Sequence, residues 1–176
     1  SWRPEGPNIF TSLPPALRWY PAWRATGDAN AYEQMIAAGY ARGSEFLWEH
    51  HYSVYWDLTQ RTYREEMDPG YDGSLNGGIA FCQPGTPYCD ADYRYAERPQ
   101  AVHDAVSRIS LTGRIGKPML TLHGTLDSLL PIATNSDNYA ALIGKAGRSH
   151  LHRYYVIDAG NHVDQLYDVF PDRLRP

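Results

Sequence analysis

The sequence predicts an α/β fold class, with a helical, aromatic-rich region first and a parallel α/β unit after it. Two observations predict this arrangement. Up to about residue 112, apolar residues recur at helical spacing. From residue 117 on, two short apolar runs alternate with helical patterns in the order strand, helix, strand, helix, which is typical of parallel strands joined by crossover helices.

Composition and charge limit the classes of protein to which the chain can belong. Of the 176 residues, 43% are apolar and 20% are charged, as in a folded globular protein. The net charge is −4 and the basic residues form no block, which argues against nucleic acid as a partner. No apolar run approaches the roughly 20 residues of a membrane-spanning helix, so no membrane is expected. No apolar leader opens the chain, so any export signal is expected to have been removed or to lie outside it.

The first part of the chain is predicted to be an irregular opening followed by one long helix. Prolines at positions 4, 7, 14, 15 and 21 indicate the irregular opening. The helix is predicted to begin near Asp28 or Asn30, since Asn30 and Glu33 approximate a capping arrangement, and to end before Asp68. Aromatic residues share one of its faces, and core packing is the simplest interpretation; a substrate-facing wall is the alternative. They are Trp48, Tyr52, Tyr55, Trp56 and Tyr63.

The two cysteines lie close together in a turn-rich stretch that follows the long helix. Six residues, including two prolines and a glycine, separate Cys82 from Cys89. Such a loop can bend back to the Cα separation of about 5.5 Å that a disulfide needs. We therefore predict a Cys82–Cys89 disulfide and, with it, an oxidising compartment, so that the protein is expected to be secreted or periplasmic.

The remaining elements follow from short apolar patterns. A helix is predicted over residues 100–109, with Ala101, Val102, Ala105, Val106 and Ile109 inward. A buried strand is predicted over residues 119–123, and a second strand over residues 153–158. Helices are predicted from about residue 136, closed by a glycine at 147, and from near residue 163. Because parallel strands need neighbours and cover on both faces, two such strands predict the C-terminal part of a larger domain.

Two polar residues follow the ends of these strands. Asp127 comes after the first strand, within a His-Gly-Thr-Leu-Asp-Ser-Leu-Leu-Pro segment, and His162 comes after the second. Functional groups gather where loops leave the carboxyl ends of parallel strands, so the two side chains are expected to meet. A carboxylate that accepts the imidazole Nδ1–H fixes the tautomer of a general base. His123 is interpreted as a structural residue at the strand end, and Asp164 as a carboxylate at a helix N-terminus.

This pair of segments resembles the acid and histidine segments of α/β-hydrolases. More narrowly, it is similar to 3-hydroxybutyrate oligomer hydrolases and tannase-like esterases. The resemblance covers residues 117–168 and rests on the turn from Asp127 to Pro131, on Ser136 with Tyr139, on Tyr155, and on the Gly160-x-His162-x-Asp164 pattern. It implies that residues 113–176 are the C-terminal segment of an α/β-hydrolase catalytic domain, and that residues 1–112 form a helical cap.

The nucleophile of that family, the serine of a G-x-S-x-G elbow, is absent from the sequence. Residues 39–43 match the spacing with alanine in the place of serine, but they lie in a helical pattern, whereas the elbow needs a preceding strand. The resemblance therefore implies a partner: an N-terminal, nucleophile-bearing segment of the same precursor. That partner would supply the serine to Asp127 and His162, the two predicted catalytic residues.

The resemblance implies a serine-type carboxylic ester hydrolase that acts on hydroxyalkanoate oligomers or related small esters. Two alternatives stay open: an aromatic esterase or peptidase on the same fold, and a non-catalytic binding module that uses the aromatic cap. No cofactor and no metal are implied. His50 and His51 point to different sides of a helix, and the acidic residues 90, 92 and 97 lack the spacing of a calcium loop.

Overall fold

The computed structural model describes residues 9–52, 56–71 and 94–176. These residues hold helices and a two-stranded parallel sheet, so the coarse α/β class is confirmed. The helices are α1 (Ile9–Thr26), α2 (Ala29–Ala37), α3 (Glu45–His51), α4 (Asp57–Met67), α5 (Gln100–Arg108), α6 (Ser136–Lys145) and α7 (Gln165–Val169). The strands are β1 (Met119–Gly124) and β2 (His152–Ile157), and short 3-10 turns cover Tyr95–Glu97 and Ser149–Leu151.

The chain divides into two compact units. One consists of Gly39–Trp48 and Leu111–Pro176, and therefore contains the sheet, α6 and α7. The remaining described residues form the second unit, with α1, α2, α4 and α5. One boundary between the units lies between Ser110 and Leu111. Residues 39–48, which the sequence places in the cap region, belong to the unit that holds the sheet.

The prediction of an irregular proline-rich opening is wrong from Ile9 on. Helix α1 runs through three prolines, at positions 14, 15 and 21. Each proline removes one helical hydrogen bond, so local propensity disfavours this helix. Its aromatic packing offsets that cost: the Tyr20 ring lies 5.0 Å from that of Tyr52 and 5.8 Å from that of Trp56. Tertiary contacts of this kind override a weak local preference.

The single long helix predicted from residue 28 is interrupted, since α2 ends at Ala37 and α3 begins at Glu45. Its predicted start is nearly right, but the cap is Asp28 rather than Asn30, since the Asp28 carboxylate accepts the backbone N–H groups of Asn30 and Ala31. The break after α2 lies at two glycines with positive φ, Gly39 (+102°) and Gly43 (+89°). A Cβ at position 39 would also lie 2.8 Å from Cγ2 of Thr134, so a larger residue does not fit there.

Only part of the predicted aromatic face is core. Trp48 and Trp56 are fully buried, whereas Tyr63 is 40% exposed. The indole Nε1–H of Trp48 donates to Oγ of Ser44 over 2.9 Å, which satisfies its polar atom. Tyr55 lies outside the described residues.

Helix α5 occupies the predicted residues and buries Val102, Ala105 and Val106. The prediction that Ala101 and Ile109 face inward is wrong, since Ala101 is exposed and Ile109 is 51% exposed. In the same unit the buried Asp68 carboxylate accepts two hydrogen bonds from the Arg98 guanidinium, of 2.6 and 2.8 Å. Both predicted disulfide partners, Cys82 and Cys89, lie outside the described residues.

Strands β1 and β2 are parallel, as predicted, and Leu122 is in register with Tyr155. The prediction that β1 is buried is wrong, since Leu120 and Leu122 are 60% and 58% exposed. They share one sheet face with Arg153 and Tyr155, and Tyr155 is 53% exposed; Val156, on the other face, is also 53% exposed. The opposite face carries His123 and Tyr154, and helix α6 packs on it. There the Tyr154 hydroxyl donates to the Asp137 carboxylate over 2.9 Å.

The last two helices lie close to their predicted positions. Helix α6 begins at Ser136, and Gly147 follows its end with a positive φ of 71°, as a helix-terminating glycine does. Helix α7 begins two residues after the predicted start, with Asp164 immediately before it. Among the described residues, no helix is both long and apolar enough to cross a membrane.

Candidate active site

The ends of the two strands approach each other at a pair of glycines. A Cβ built on Gly124 would lie 2.1 Å from the carbonyl carbon of Gly160, and one built on Gly160 would lie 3.0 Å from Cα of Gly124. In both cases the added Cβ would meet a backbone atom, which cannot rotate away as the end of a side chain can. Glycine is therefore required at position 124 for the two loops to come together.

Hydrogen bonds then join the loop after β1 to the loop after β2. The backbone N–H of Leu126 donates to the carbonyl of Gly160 over 2.9 Å. The Thr125 hydroxyl accepts the backbone N–H of Ala159 over 2.9 Å, and Ala159 has a positive φ of 55°. Positive φ is uncommon for a residue with a side chain, so these bonds fix an unusual backbone turn. The turn directs the following residues toward the first loop.

Asp127 is placed at the centre of this junction. Its side chain is 4% exposed, and each carboxylate oxygen accepts defined donors. Oδ1 accepts the backbone N–H groups of Leu129 (3.0 Å) and Leu130 (2.9 Å). Oδ2 accepts Nδ1–H of His162 over 2.8 Å. The structure thus brings together the two residues that the sequence singles out.

These donors keep Asp127 ionised. Burial by itself raises the pKa of a carboxyl group, because it disfavours the charged form. At Asp127 the hydrogen bonds from His123 and His162 and from the Leu130 amide outweigh burial and lower the pKa to about 2. Asp127 is therefore a stable negative charge beside the imidazole of His162 at every ordinary pH.

The imidazole of His162 is held at one nitrogen and accessible at the other. Because Nδ1 faces an ionised carboxylate, it carries the proton, and Nε2 has the free electron pair in the neutral ring. The side chain is 33% exposed, and no described residue makes a hydrogen bond to Nε2. The hydrogen bond to Asp127 raises the pKa of His162 above 6.5, although burial opposes the shift. This arrangement suits a general base that accepts a proton at Nε2.

His123 contacts the same carboxylate from the other side. Its Nε2 lies 3.2 Å from Oδ2 of Asp127 and 2.9 Å from the carbonyl oxygen of Leu130. Its Nδ1 lies 2.5 Å from Oγ of Ser136, the first residue of α6. From the sequence, His123 is expected to be a structural residue, and nothing in the sequence connects it to Asp127 and Ser136.

The segment around Leu174 and Arg175 contacts the loop that carries His162. Leu174 is buried together with Leu47 and Leu166, and Val163, the neighbour of His162, packs on this cluster. The backbone N–H of Arg175 donates to the carbonyl of Ala159 over 2.9 Å. Sequence patterns gave no indication of this contact, because it joins an irregular segment to a loop.

Asp164 and Tyr155 make no hydrogen bond to Asp127 or His162. Asp164 is at the start of α7, and Tyr155 is on the exposed sheet face. The ring centroids of His50 and His51 are 5.7 Å apart, with the ring planes at 66° to each other. Among the described residues, no group of three or more His, Cys, Asp or Glu side chains could hold a metal ion. Asp90 and Asp92 lie outside the described residues.

Comparison with known proteins finds no matching family model, no matching curated protein and no matching solved structure. The geometry of Asp127 and His162 is therefore the basis for the proposed function.

Proposed function

We propose that this chain supplies the acid and the histidine of a serine-type carboxylic ester hydrolase of the α/β-hydrolase type. One observation carries the proposal: Nδ1 of His162 is 2.8 Å from Oδ2 of the buried Asp127, while Nε2 is accessible. The pair lies beyond the carboxyl ends of two parallel strands, where α/β enzymes place their functional groups.

In this mechanism His162 transfers protons and Asp127 orients it. A serine hydroxyl attacks the ester carbonyl and its proton passes to Nε2 of His162. The resulting imidazolium is stabilised by the Asp127 carboxylate and then protonates the leaving alkoxide. In the second half of the cycle, Nε2 accepts a proton from a water molecule that attacks the acyl-serine carbonyl. His162 then returns this proton to the serine oxygen as the acyl–oxygen bond breaks, which releases the acid and restores the free enzyme.

The serine is proposed to lie on an N-terminal segment of the same precursor. Three observations support this part of the proposal. The sequence contains no G-x-S-x-G elbow, and no described hydroxyl group makes a hydrogen bond to Nε2 of His162. In addition, Leu120, Leu122 and Tyr155 are exposed on one sheet face, beside Arg153, and a further α/β segment would cover them.

The proposed substrates are hydroxyalkanoate oligomers or related small esters, and this choice rests on the sequence resemblance alone. Aromatic esters and peptides are the alternative substrates for the same residues. A binding module that uses the aromatic face is less well supported, since Trp48 and Trp56 are fully buried and cannot contact a ligand.

The test uses the full-length protein that contains this chain and a chromogenic short-chain ester. His162→Ala is expected to lower kcat by a factor of about 10³ or more, because the general base of the acyl transfer is lost. His150→Ala is the matched control, since His150 is exposed on the 3-10 turn before β2. Equal turnover by His162→Ala and the wild type would overturn the proposal.

A second measurement locates the nucleophile. A fluorophosphonate reacts with activated serines, so the labelled peptide identifies the residue that His162 activates. Labelling is expected on a serine outside residues 1–176 and is expected to be lost in His162→Ala. Labelling of a serine within this chain would contradict the placement of the nucleophile but not the roles of Asp127 and His162.

A further inference from the structure

A second imidazole contacts the carboxylate that orients His162. His123 is nearly buried, with 9% of its side chain exposed, and its Nε2 lies 3.2 Å from Oδ2 of Asp127. Oδ2 is also the oxygen that accepts Nδ1–H of His162. The two histidines therefore share one carboxylate oxygen, while the backbone amides of Leu129 and Leu130 occupy the other.

The surroundings of His123 determine its tautomer. Nε2 faces two groups that only accept hydrogen bonds, the Leu130 carbonyl and the ionised Asp127 carboxylate, so Nε2 carries a proton. In the neutral ring, Nδ1 is then an acceptor. The Ser136 hydroxyl, 2.5 Å away, is the donor that it requires. The chain of donors therefore runs from Ser136 through His123 to Asp127.

We propose that His123, with its tautomer fixed by the Leu130 carbonyl and the Asp127 carboxylate, is a positioning residue that acts on His162 through Asp127. Its Nε2–H is shared between the Leu130 carbonyl at 2.9 Å and Oδ2 at 3.2 Å, and through the second contact it withdraws part of the negative charge that would otherwise be available to His162. His123 thereby moderates the basicity that Asp127 confers on His162. The catalytic consequence rests on the proposed function, whereas the hydrogen-bond relation does not.

The other ionisable group near this carboxylate is Tyr40. Its phenol is buried, and burial together with the Asp127 charge raises its pKa, so it stays protonated. Tyr40 therefore contributes no change of charge between pH 5 and 9. The two imidazoles that contact Oδ2 of Asp127 are those of His123 and His162, and the experiments below follow His162.

The first experiment needs no variant. Nitrogen-detected NMR of the histidine rings in the intact chain distinguishes a protonated from an unprotonated ring nitrogen. For the neutral His123 ring we expect a proton on Nε2 and none on Nδ1. A proton on Nδ1 with a bare Nε2 would overturn the proposal, since His123 could then donate nothing to Asp127.

The second experiment measures the titration midpoint of His162 by NMR in the wild type and in variants of His123. His123→Phe removes the donor and keeps a ring, and it is expected to raise the His162 midpoint, corresponding to a two- to tenfold higher proton affinity. His123→Gln retains an N–H near the position of Nε2 and is expected to restore the wild-type midpoint. His150→Phe, at an exposed histidine, is the control and should change nothing.

An unchanged His162 midpoint in His123→Phe, or a failure of His123→Gln to restore it, would overturn the proposal. A residue that only closes the strand end would not move this midpoint. In the full-length protein, His123→Phe is also expected to shift the acid limb of the pH–rate profile to higher pH. If the full-length protein hydrolyses no ester, the proposed function fails, but the NMR results still decide the role of His123.

Discussion

At the scale of single residues, the chemistry depends on a carboxylate that is buried and yet ionised. Burying a charge is costly, and a buried carboxyl group without donors is protonated instead. Asp127 avoids this because two backbone amides and the His162 imidazole donate to it, and Nε2 of His123 lies 3.2 Å from it. The lowering of its pKa from 3.8 to about 2 corresponds to about 2 kcal/mol in favour of the folded state.

This link between protonation and folding predicts an acid-dependent loss of stability. Because the pKa of Asp127 is lower in the folded state, its contribution is present above pH 3.8 and is lost as the pH falls toward 2. Asp127→Asn is therefore expected to lower the free energy of unfolding by about 2 kcal/mol at pH 6, and by progressively less as the pH falls below 4. Urea titrations at several pH values measure this difference.

The control for that experiment is Asp172→Asn, since Asp172 is exposed near the end of the chain. It is expected to leave the free energy of unfolding within about 0.5 kcal/mol of the wild type at each pH. A pH-independent cost of Asp127→Asn would show that the residue stabilises the fold by packing alone.

At the scale of elements, the site is assembled by loops rather than by the strands themselves. The strands bring the two loops to the same edge of the sheet, and the contact between Gly124 and Gly160 lets them touch. Thr125 and the C-terminal Arg175 then hold the backbone of Ala159 in its left-handed conformation. Asp127 and His162 meet because both loops are fixed over several residues.

A methyl group at position 124 is expected to disrupt this junction. Gly124→Ala would place a carbon 2.1 Å from the backbone of Gly160, so one loop must move. We expect a loss of about 1–3 kcal/mol in the free energy of unfolding, as for other overpacked sites. We also expect the hydrogen-bonded Nδ1–H proton of His162 to shift in the NMR spectrum.

Gly116→Ala is the matched control, because a Cβ there meets nothing within 4 Å. It should leave both the unfolding free energy and the His162 resonance unchanged. If Gly124→Ala behaved like this control, the close approach of the two strand ends would not be needed for the site.

At the scale of the whole molecule, the elements that local sequence patterns determine could be predicted, and those that tertiary contacts determine could not. The strands, α5 and α6 could be predicted, because their apolar periodicity and terminal signals are local. The helix through Pro14, Pro15 and Pro21 could not be predicted, since only its packing against distant aromatic residues explains it. The break at Gly39 was missed because an isolated glycine in a helical pattern is compatible with both outcomes.

The same distinction applies to the candidate site. Asp127 and His162 could be predicted, because the ends of parallel strands place their loops together. The parts that His123 and Ser136 play beside Asp127 could not be predicted. Ser136 and His123 lie thirteen residues apart, and their hydrogen bond depends on how α6 packs on the sheet.

The exposed sheet face provides the last prediction, since it separates the stability of this chain from the assembly of the proposed enzyme. Leu122 is 58% exposed, so Leu122→Lys is expected to change the unfolding free energy of the isolated chain by no more than about 0.5 kcal/mol. If the nucleophile-bearing segment covers this face, the same substitution in the full-length protein buries a charge and costs several kcal/mol. Thermal unfolding and ester turnover of the full-length protein should then both decrease. Leu111→Lys, at a residue that is 56% exposed before β1, is the control. Full-length Leu122→Lys with normal stability and turnover would show that this face stays open to solvent and that the serine reaches His162 without covering the sheet.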